Sequence, residues 1–204
     1  MEVLKGFNAP KLYHMLFQED STFEGWLKDL GLLFGARICT CGGNMGLKRR
    51  SGERYQTWRC NRAKCGKEKG FLVGTFFEGA HITLKEAIHL SYLWCRQTHT
   101  QDEVMFDLRR GDGSSLSSST ITDWNNFFRE ICIEYYIRNP IRLGGNNILV
   151  EIDETVITKR KYERGRLIEN QQWIFGLIEY KSGRCVLIPV ENRDAETLLP
   201  IIQY

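Results

Sequence analysis

The sequence predicts an α+β chain in which a cysteine-bearing ribbon and a set of helices precede a β-rich section. Three observations predict this. Four of the seven cysteines fall in Cys39–Cys65. Apolar residues between positions 84 and 135 recur at helical spacing. After Gly144-Gly145-Asn146-Asn147 the pattern changes to short β-branched runs. At 204 residues and 42% hydrophobic content the chain is long enough for one large or two small domains, each with a real core.

Residues 1–36 read as a helical segment. Ser21-x-x-Glu24 is a candidate capping box ahead of Phe23, Trp26, Leu27, Leu30, Leu33 and Phe34, which repeat at helical spacing. Its role is packing. The N-terminus shows neither a continuous apolar stretch nor a small-residue cleavage site, so export is not expected. No apolar run reaches the roughly 18 residues that span a bilayer, so no membrane partner is expected.

Residues 37–80 hold the cysteine cluster. Cys39-x-Cys41 is separated by 18 residues from Cys60-x4-Cys65. Two short ligand pairs joined by a hairpin are what a four-thiolate zinc site needs. Gly42, Gly43 and Gly66 supply the permissive backbone of the knuckles. Met45–Lys48 and Tyr55–Arg59 are expected as ribbon strands, turning at Ser51-Gly52. Cys39 and Cys41 stand one residue closer than the usual C-x-x-C pair, which makes Cys41, Cys60 and Cys65 the firmer ligands. Buried, reduced cysteines that bind nothing are the other reading. Without an export signal, a metal site is favoured over disulfides.

Between Arg37 and Lys69 the sequence has 10 Lys/Arg against 2 Asp/Glu, a formal +8 on a chain whose net charge is +3, so the remainder carries −5. Such a module suits a polyanion, although a solvated surface gives the same composition. Lys48, Arg49 and Arg50 sit at the expected ribbon turn, where they can reach phosphate. Four thiolates and one zinc ion contribute −2, which leaves the module basic.

Residues 81–143 are expected to be helical, after a short strand and turn over 71–81. Thr83-x-x-Glu86 opens a helix from Leu84 to Gln97, with Ile82 placed to staple on Ala87 and with His89 read as a packed histidine. Thr100-x-x-Glu103 opens a second helix from Gln101 to Arg110. Ser119 or Thr120 caps a third, which carries Ile121, Trp124, Phe128, Ile131 and Tyr135 and stops at Asn139-Pro140. Three helices in this order fit a helix-turn-helix, but the Gly111–Ser118 loop is longer than its usual turn. An ordinary helical bundle joining two domains fits equally.

Residues 144–204 form the last section. Ile148–Glu154 reads as a strand whose period of two places Glu151 and Asp153 on one face and Ile152 and Glu154 on the other. Thr155–Arg166 is a loop with Lys159, Arg160, Lys161, Arg164 and Arg166. Trp173–Tyr180 and Arg184–Val190 are two more strands, joined at Lys181-Ser182-Gly183. A helix opens at Asp194 or Ala195.

The order of these motifs (the upstream ribbon ending GTFFEG, then VEIDET, KRKYERGR, WIFGLIEY and GRCVLIPVENRDAETLLPII) resembles the ISXO-two-like transposase domain, a family that includes the Merlin-type DNA transposons. The resemblance runs from about Cys39 to the end of the sequence. It implies a ribonuclease-H-like α/β domain, here represented by its first three antiparallel strands and first helix. It also implies a DDE-type carboxylate site whose first catalytic aspartate matches Asp153. Such a site uses Mg²⁺ or Mn²⁺, with two ions positioning the attacking and leaving oxygens at a phosphodiester. The implied partner is DNA at transposon ends, bound through the basic loop, and a homo-oligomer is compatible with this reading. The family's second and third carboxylates lie beyond Tyr204. The expectation is therefore a truncated, inactive DDE relative that binds DNA. A non-enzymatic zinc-ribbon DNA-binding module is the alternative. Its expected location is nuclear in a eukaryote and cytoplasmic otherwise.

Overall fold

A computed structural model describes residues 4–97, 99–157 and 172–203. Among these the chain is a mixed α and β protein with two antiparallel sheets. It divides into two compact units, residues 1–128 and 129–204. The segments marked from the sequence at 36, 80 and 143 follow composition, whereas this division follows packing. Phe23 and Leu27, the ribbon's Met45 and Trp58, and the helical Leu90, Ile121 and Phe128 all belong to one buried cluster.

The first unit opens with α1 (Ala9–Leu16) and α2 (Asp20–Asp29). Asn8 caps α1, its Oδ1 accepting from the Lys11 amide at 3.2 Å. The expected capping box at Ser21 does not form. Glu19 is the N-cap of α2 and makes no side-chain cap bond, so Ser21 falls inside the first turn. A long-range contact marks this start instead. Lys85 Nζ donates to the Gln18 carbonyl at 2.7 Å and pairs with Asp20 at 2.8 Å.

The ribbon is a four-stranded sheet in chain order: β1 (Arg37–Ile38), β2 (Asn44–Lys48), β3 (Thr57–Cys60) and β4 (Glu68–Gly70). The β2–β3 hairpin matches the expected ribbon and turns at Ser51-Gly52, where Gly52 has φ +82°. Residues 71–79 form turns rather than the expected strand, and the extended segment lies just before them, at β4.

Helix α3 (Leu84–Arg96) starts at Thr83 with both halves of its capping box in place. The Thr83 hydroxyl accepts from the Glu86 amide at 3.0 Å, and Glu86 accepts from the Thr83 amide at 2.7 Å. Thr100 and Glu103 repeat the motif at α4 (Gln101–Asp107). Helix α5 (Ser118–Arg138) is capped by Ser117, whose Oγ accepts from the Thr120 amide at 3.1 Å; Ser119 and Thr120 lie inside the helix. His89 is buried, with its ring edge-on to Tyr13 at 5.5 Å.

In the second unit β5 (Val150–Val156), β6 (Trp173–Glu179) and β7 (Cys185–Val190) form an antiparallel meander in that spatial order. Helix α6 (Ala195–Gln203) follows, with Asp194 Oδ1 accepting from the Thr197 amide at 2.8 Å. Phe175, Leu177, Val190 and Leu198 make the core of this unit.

Glu179 holds one end of that meander. It is 5% exposed, and all of its bonds are charge-assisted. Ser182 Oγ donates to Oε1 at 2.7 Å, while Arg184 Nη2 and the Gly144 amide each donate to Oε2 at 3.0 Å. One carboxylate thus fastens the β6–β7 turn to the segment that leads into β5. These donors, Ser182 first, hold its carboxyl well below the ordinary 4.5, at about 2. A carboxyl depressed in the folded state stabilises it above its unfolded pKa and loses that effect as pH falls. Hydrogen exchange of the β5–β7 amides, corrected for intrinsic rates, is expected to show protection falling from about pH 4.5 toward about pH 2. Glu179→Gln is expected to lower protection at neutral pH and to flatten that acid limb.

Candidate metal centre

Two knuckles bring the four cysteines together. The first is a tight turn: the Gly42 amide donates to the Cys39 carbonyl at 2.8 Å, and the Cys39 amide donates to the Gly43 carbonyl at 2.8 Å. Gly42 takes φ +77°, a value that L residues with a Cβ rarely adopt. A Cβ on Gly43 would meet the Arg62 side chain at 2.9 Å, so this glycine provides room for close approach. The second knuckle leaves β3 at Cys60. The Cys60 amide donates to the Lys67 carbonyl at 2.9 Å, the Cys65 amide donates to the Arg62 carbonyl at 3.0 Å, and Gly66 has φ +57°. Arg62 joins the knuckles, its guanidinium donating to the Cys41 carbonyl at 2.6 Å.

All four sulfurs lie within 4.8 Å of one another. Cys39 and Cys65 are 3.7 Å apart and Cys41 and Cys60 are 3.5 Å apart, and all four are free thiols rather than disulfides. Zinc–sulfur bonds of about 2.3 Å in a tetrahedron require sulfurs roughly 3.8 Å apart. The cluster therefore has the spacing that a metal ion such as zinc needs. Cys39 takes part as fully as the other three. The one-residue spacing is accommodated because the turn closes from Cys39 to Gly42, which leaves Cys41 inside the turn with its sulfur in the cluster.

The thiols are not electrostatically equivalent. Cys39 is held down to about 6, chiefly by the Cys41 amide, and Cys41 is lowered chiefly by the Gly43 amide. Cys60 is pushed up to about 11: the Arg62 amide pulls it down, but burial and the three neighbouring sulfurs outweigh that pull. Four adjacent thiols resist ionising together, and a divalent cation removes the conflict.

The other predicted site residues are scattered. Lys48 ends β2, and Arg49 and Arg50 follow it, all three exposed. Arg50 is engaged by a short ion pair to Glu68 and a longer one, 4.0 Å, to Glu53. Lys159, Arg160, Lys161, Arg164 and Arg166 lie outside the described residues. Asp153 is exposed on β5 opposite Gly176, and its Oδ1 accepts from the Glu154 amide at 2.8 Å. Among the described residues the one group of three or more metal-ligating side chains is the cysteine cluster, so Asp153 is not brought together with two further carboxylates. A cavity of about 780 Å³ lies between the sheet and α6, lined by Val150, Ile152, Leu177, Ile188 and Ile201. Ile152 and Leu177 are each one position from Asp153 and Gly176, so the cavity opens on the opposite face of the sheet. No helix among the described residues is long and apolar enough to cross a membrane.

Sequence reasoning missed two groups. Arg62 lies between two cysteines, where a basic residue reads as one more surface charge. Glu179 was findable, because it shares strand parity with the inward Phe175 and Leu177 and precedes Ser182 and Arg184.

Comparison with protein-family models, curated proteins and solved structures finds no match.

The geometry predicts one metal ion per chain, with four ligands. Elemental analysis of Cys39→Ser is expected to show the same loss of bound metal as Cys60→Ser. Full metal retention in Cys39→Ser would mean that only three cysteines bind.

Proposed function

We propose that this protein is a transposase-derived DNA-binding protein of the DDE type. In this reading a structural zinc ribbon contacts DNA and the second unit is the opening part of a ribonuclease-H-like domain. The observation that carries the binding role is the four-cysteine cluster joined to a hairpin whose turn holds Lys48 and Arg49, exposed and without an ion pair among the described residues. Cys39, Cys41, Cys60 and Cys65 would hold the zinc, which supplies folding energy rather than chemistry because all four positions are filled by protein. The meander β5-β6-β7 followed by α6, with Asp153 on its first strand, supports the ribonuclease-H-like assignment.

Strand transfer by paired magnesium ions needs three carboxylates brought together. Glu151 and Asp153 share a face of β5, but no third acidic ligand joins them among the described residues, so no catalytic step is assigned to Asp153. The reading is a binding function, and the non-enzymatic zinc-ribbon module is its simplest form. Lys159, Arg160, Lys161, Arg164 and Arg166 would extend the phosphate contact.

Fluorescence anisotropy of the full chain with a mixed-sequence DNA duplex across a salt series tests this. Binding is expected to weaken steeply with salt, and Lys48→Ala with Arg49→Ala to reduce the log–log slope by about 2. Affinity that is insensitive to salt, or a slope unchanged in the double variant, would sink the ribbon contact. Nicking of the duplex that depends on Mg²⁺ and is lost in Asp153→Ala would overturn the binding-only reading.

A further inference from the structure

In the first unit, helix α5 and the loop after β4 enclose a cleft of about 470 Å³ that the DNA-binding reading does not use. Thr120, Asp123, Trp124 and Phe127 face it at positions i, i+3, i+4 and i+7, one stripe of a helix. Phe76, Glu78 and His81 face it from the loop. The aromatic walls are organised: Phe76 meets Trp124 edge-on at 5.6 Å, and Trp124 meets Phe127 edge-on at 6.1 Å. Trp124 is only 6% exposed, whereas Phe76 and Phe127 remain 42% and 44% exposed. Two large rings thus stay in contact with solvent beside a fixed third.

The charge at this cleft has the sign opposite to the ribbon's. Asp123 has no hydrogen-bond or ion-pair partner among the described residues. Glu78 accepts from the Gly74 amide at 2.7 Å through one oxygen, leaving the other to a ligand. Arg54 donates to the His81 carbonyl at 3.3 Å and Arg37 to the Val73 carbonyl, so both are turned to the loop backbone. Aromatic faces with nearby carboxylates attract an organic cation: the ring quadrupoles and the carboxylates act in the same direction, and the apolar walls cover its alkyl groups. The same carboxylates repel phosphate, so this cleft is not a continuation of a DNA surface.

We propose that the cleft is a docking site for an alkylammonium side chain of a partner polypeptide, a lysine and most strongly an N-methylated one. Methylation lowers the cost of desolvating the ammonium and increases its contact with Phe76 and Phe127, while the charge still faces Asp123.

The test is a titration of the isotope-labelled full chain with Nα-acetyl-Nε-trimethyl-lysine methylamide, followed by two-dimensional NMR. Saturable shifts are expected at the Trp124 indole and the 78–81 amides, with Kd in about the millimolar range. The neutral isostere, with carbon in place of the charged nitrogen, is expected to bind at least about threefold more weakly. Asp123→Asn, which keeps the volume, and Phe127→Ala are each expected to weaken binding by about three- to thirtyfold, with the spectrum otherwise intact. No saturable shift, equal affinity for the neutral isostere, or unchanged affinity in a folded Asp123→Asn chain would overturn the proposal.

Discussion

Four sulfurs within a few ångströms of one another are the constraint on which the first unit depends. Its ribbon strands are two to five residues long, too short to hold a sheet by backbone pairing alone. They stay in place because Cys39 and Cys60 are buried beside Met45 and Trp58, in the same cluster that receives Phe23 and Leu27 from α2 and Leu90 from α3. A metal ion held by these four sulfurs would therefore make ligation and helix packing parts of one folding event. One thiol is depressed toward ionisation and another is raised, so the cluster lacks a uniform charge state until a cation supplies one.

The second unit solves the same small-domain problem without sulfur. Helix α6 places Leu198 and Ile201 against Phe175 and Leu177, and Glu179 anchors the β6–β7 turn to Gly144. Burying a carboxylate costs desolvation energy, and three donors offset that cost. The arrangement leaves apolar side chains in solvent: Ile178 and Leu187 on Asp153's face of the sheet, and Ile152 on the other. Strands β5 and β7 each lack a second neighbour among the described residues, the kind of edge that pairs readily with another strand.

How much of this was legible in the sequence depends on how local each cause is. The boxes at Thr83 and Thr100 are readable because both partners lie within one helical turn. Ser21 has the same pattern but lies within a helix that already begins at Asp20, beside a contact from Lys85. No window of sequence contains that contact. Strands β1 and β4 are invisible for the same reason: two or three residues become extended only when β2 and β3 are there to pair with them. The cysteine cluster was legible in type. The place of Cys39 in it was not, because spacing rules assume one knuckle geometry and the Cys39–Gly42 turn adopts another. The basic residues were legible as composition alone. Which of them are engaged depends on Glu68, brought opposite Arg59 by strand pairing and into contact with Arg50.

A formal +8 over Arg37–Lys69 suggests a uniform cationic surface. The structure sorts those charges. Arg50 and Arg59 pair with Glu68, Arg62 donates to the Cys41 and Gly42 carbonyls, and Lys67 donates to Thr40. Arg37 packs on the Phe34 ring and donates to the Val73 carbonyl. Such cations still contribute long-range potential, but their geometry is committed to holding the ribbon together. Lys48 and Arg49 at the end of a hairpin, and Lys64 and Lys69 further along the ribbon, are exposed and without an ion pair among the described residues, and can reorient toward a phosphate without breaking an existing contact. The ribbon's affinity for a polyanion should then follow this small exposed set more closely than the net charge, since only contacts that release counterions enter the salt dependence.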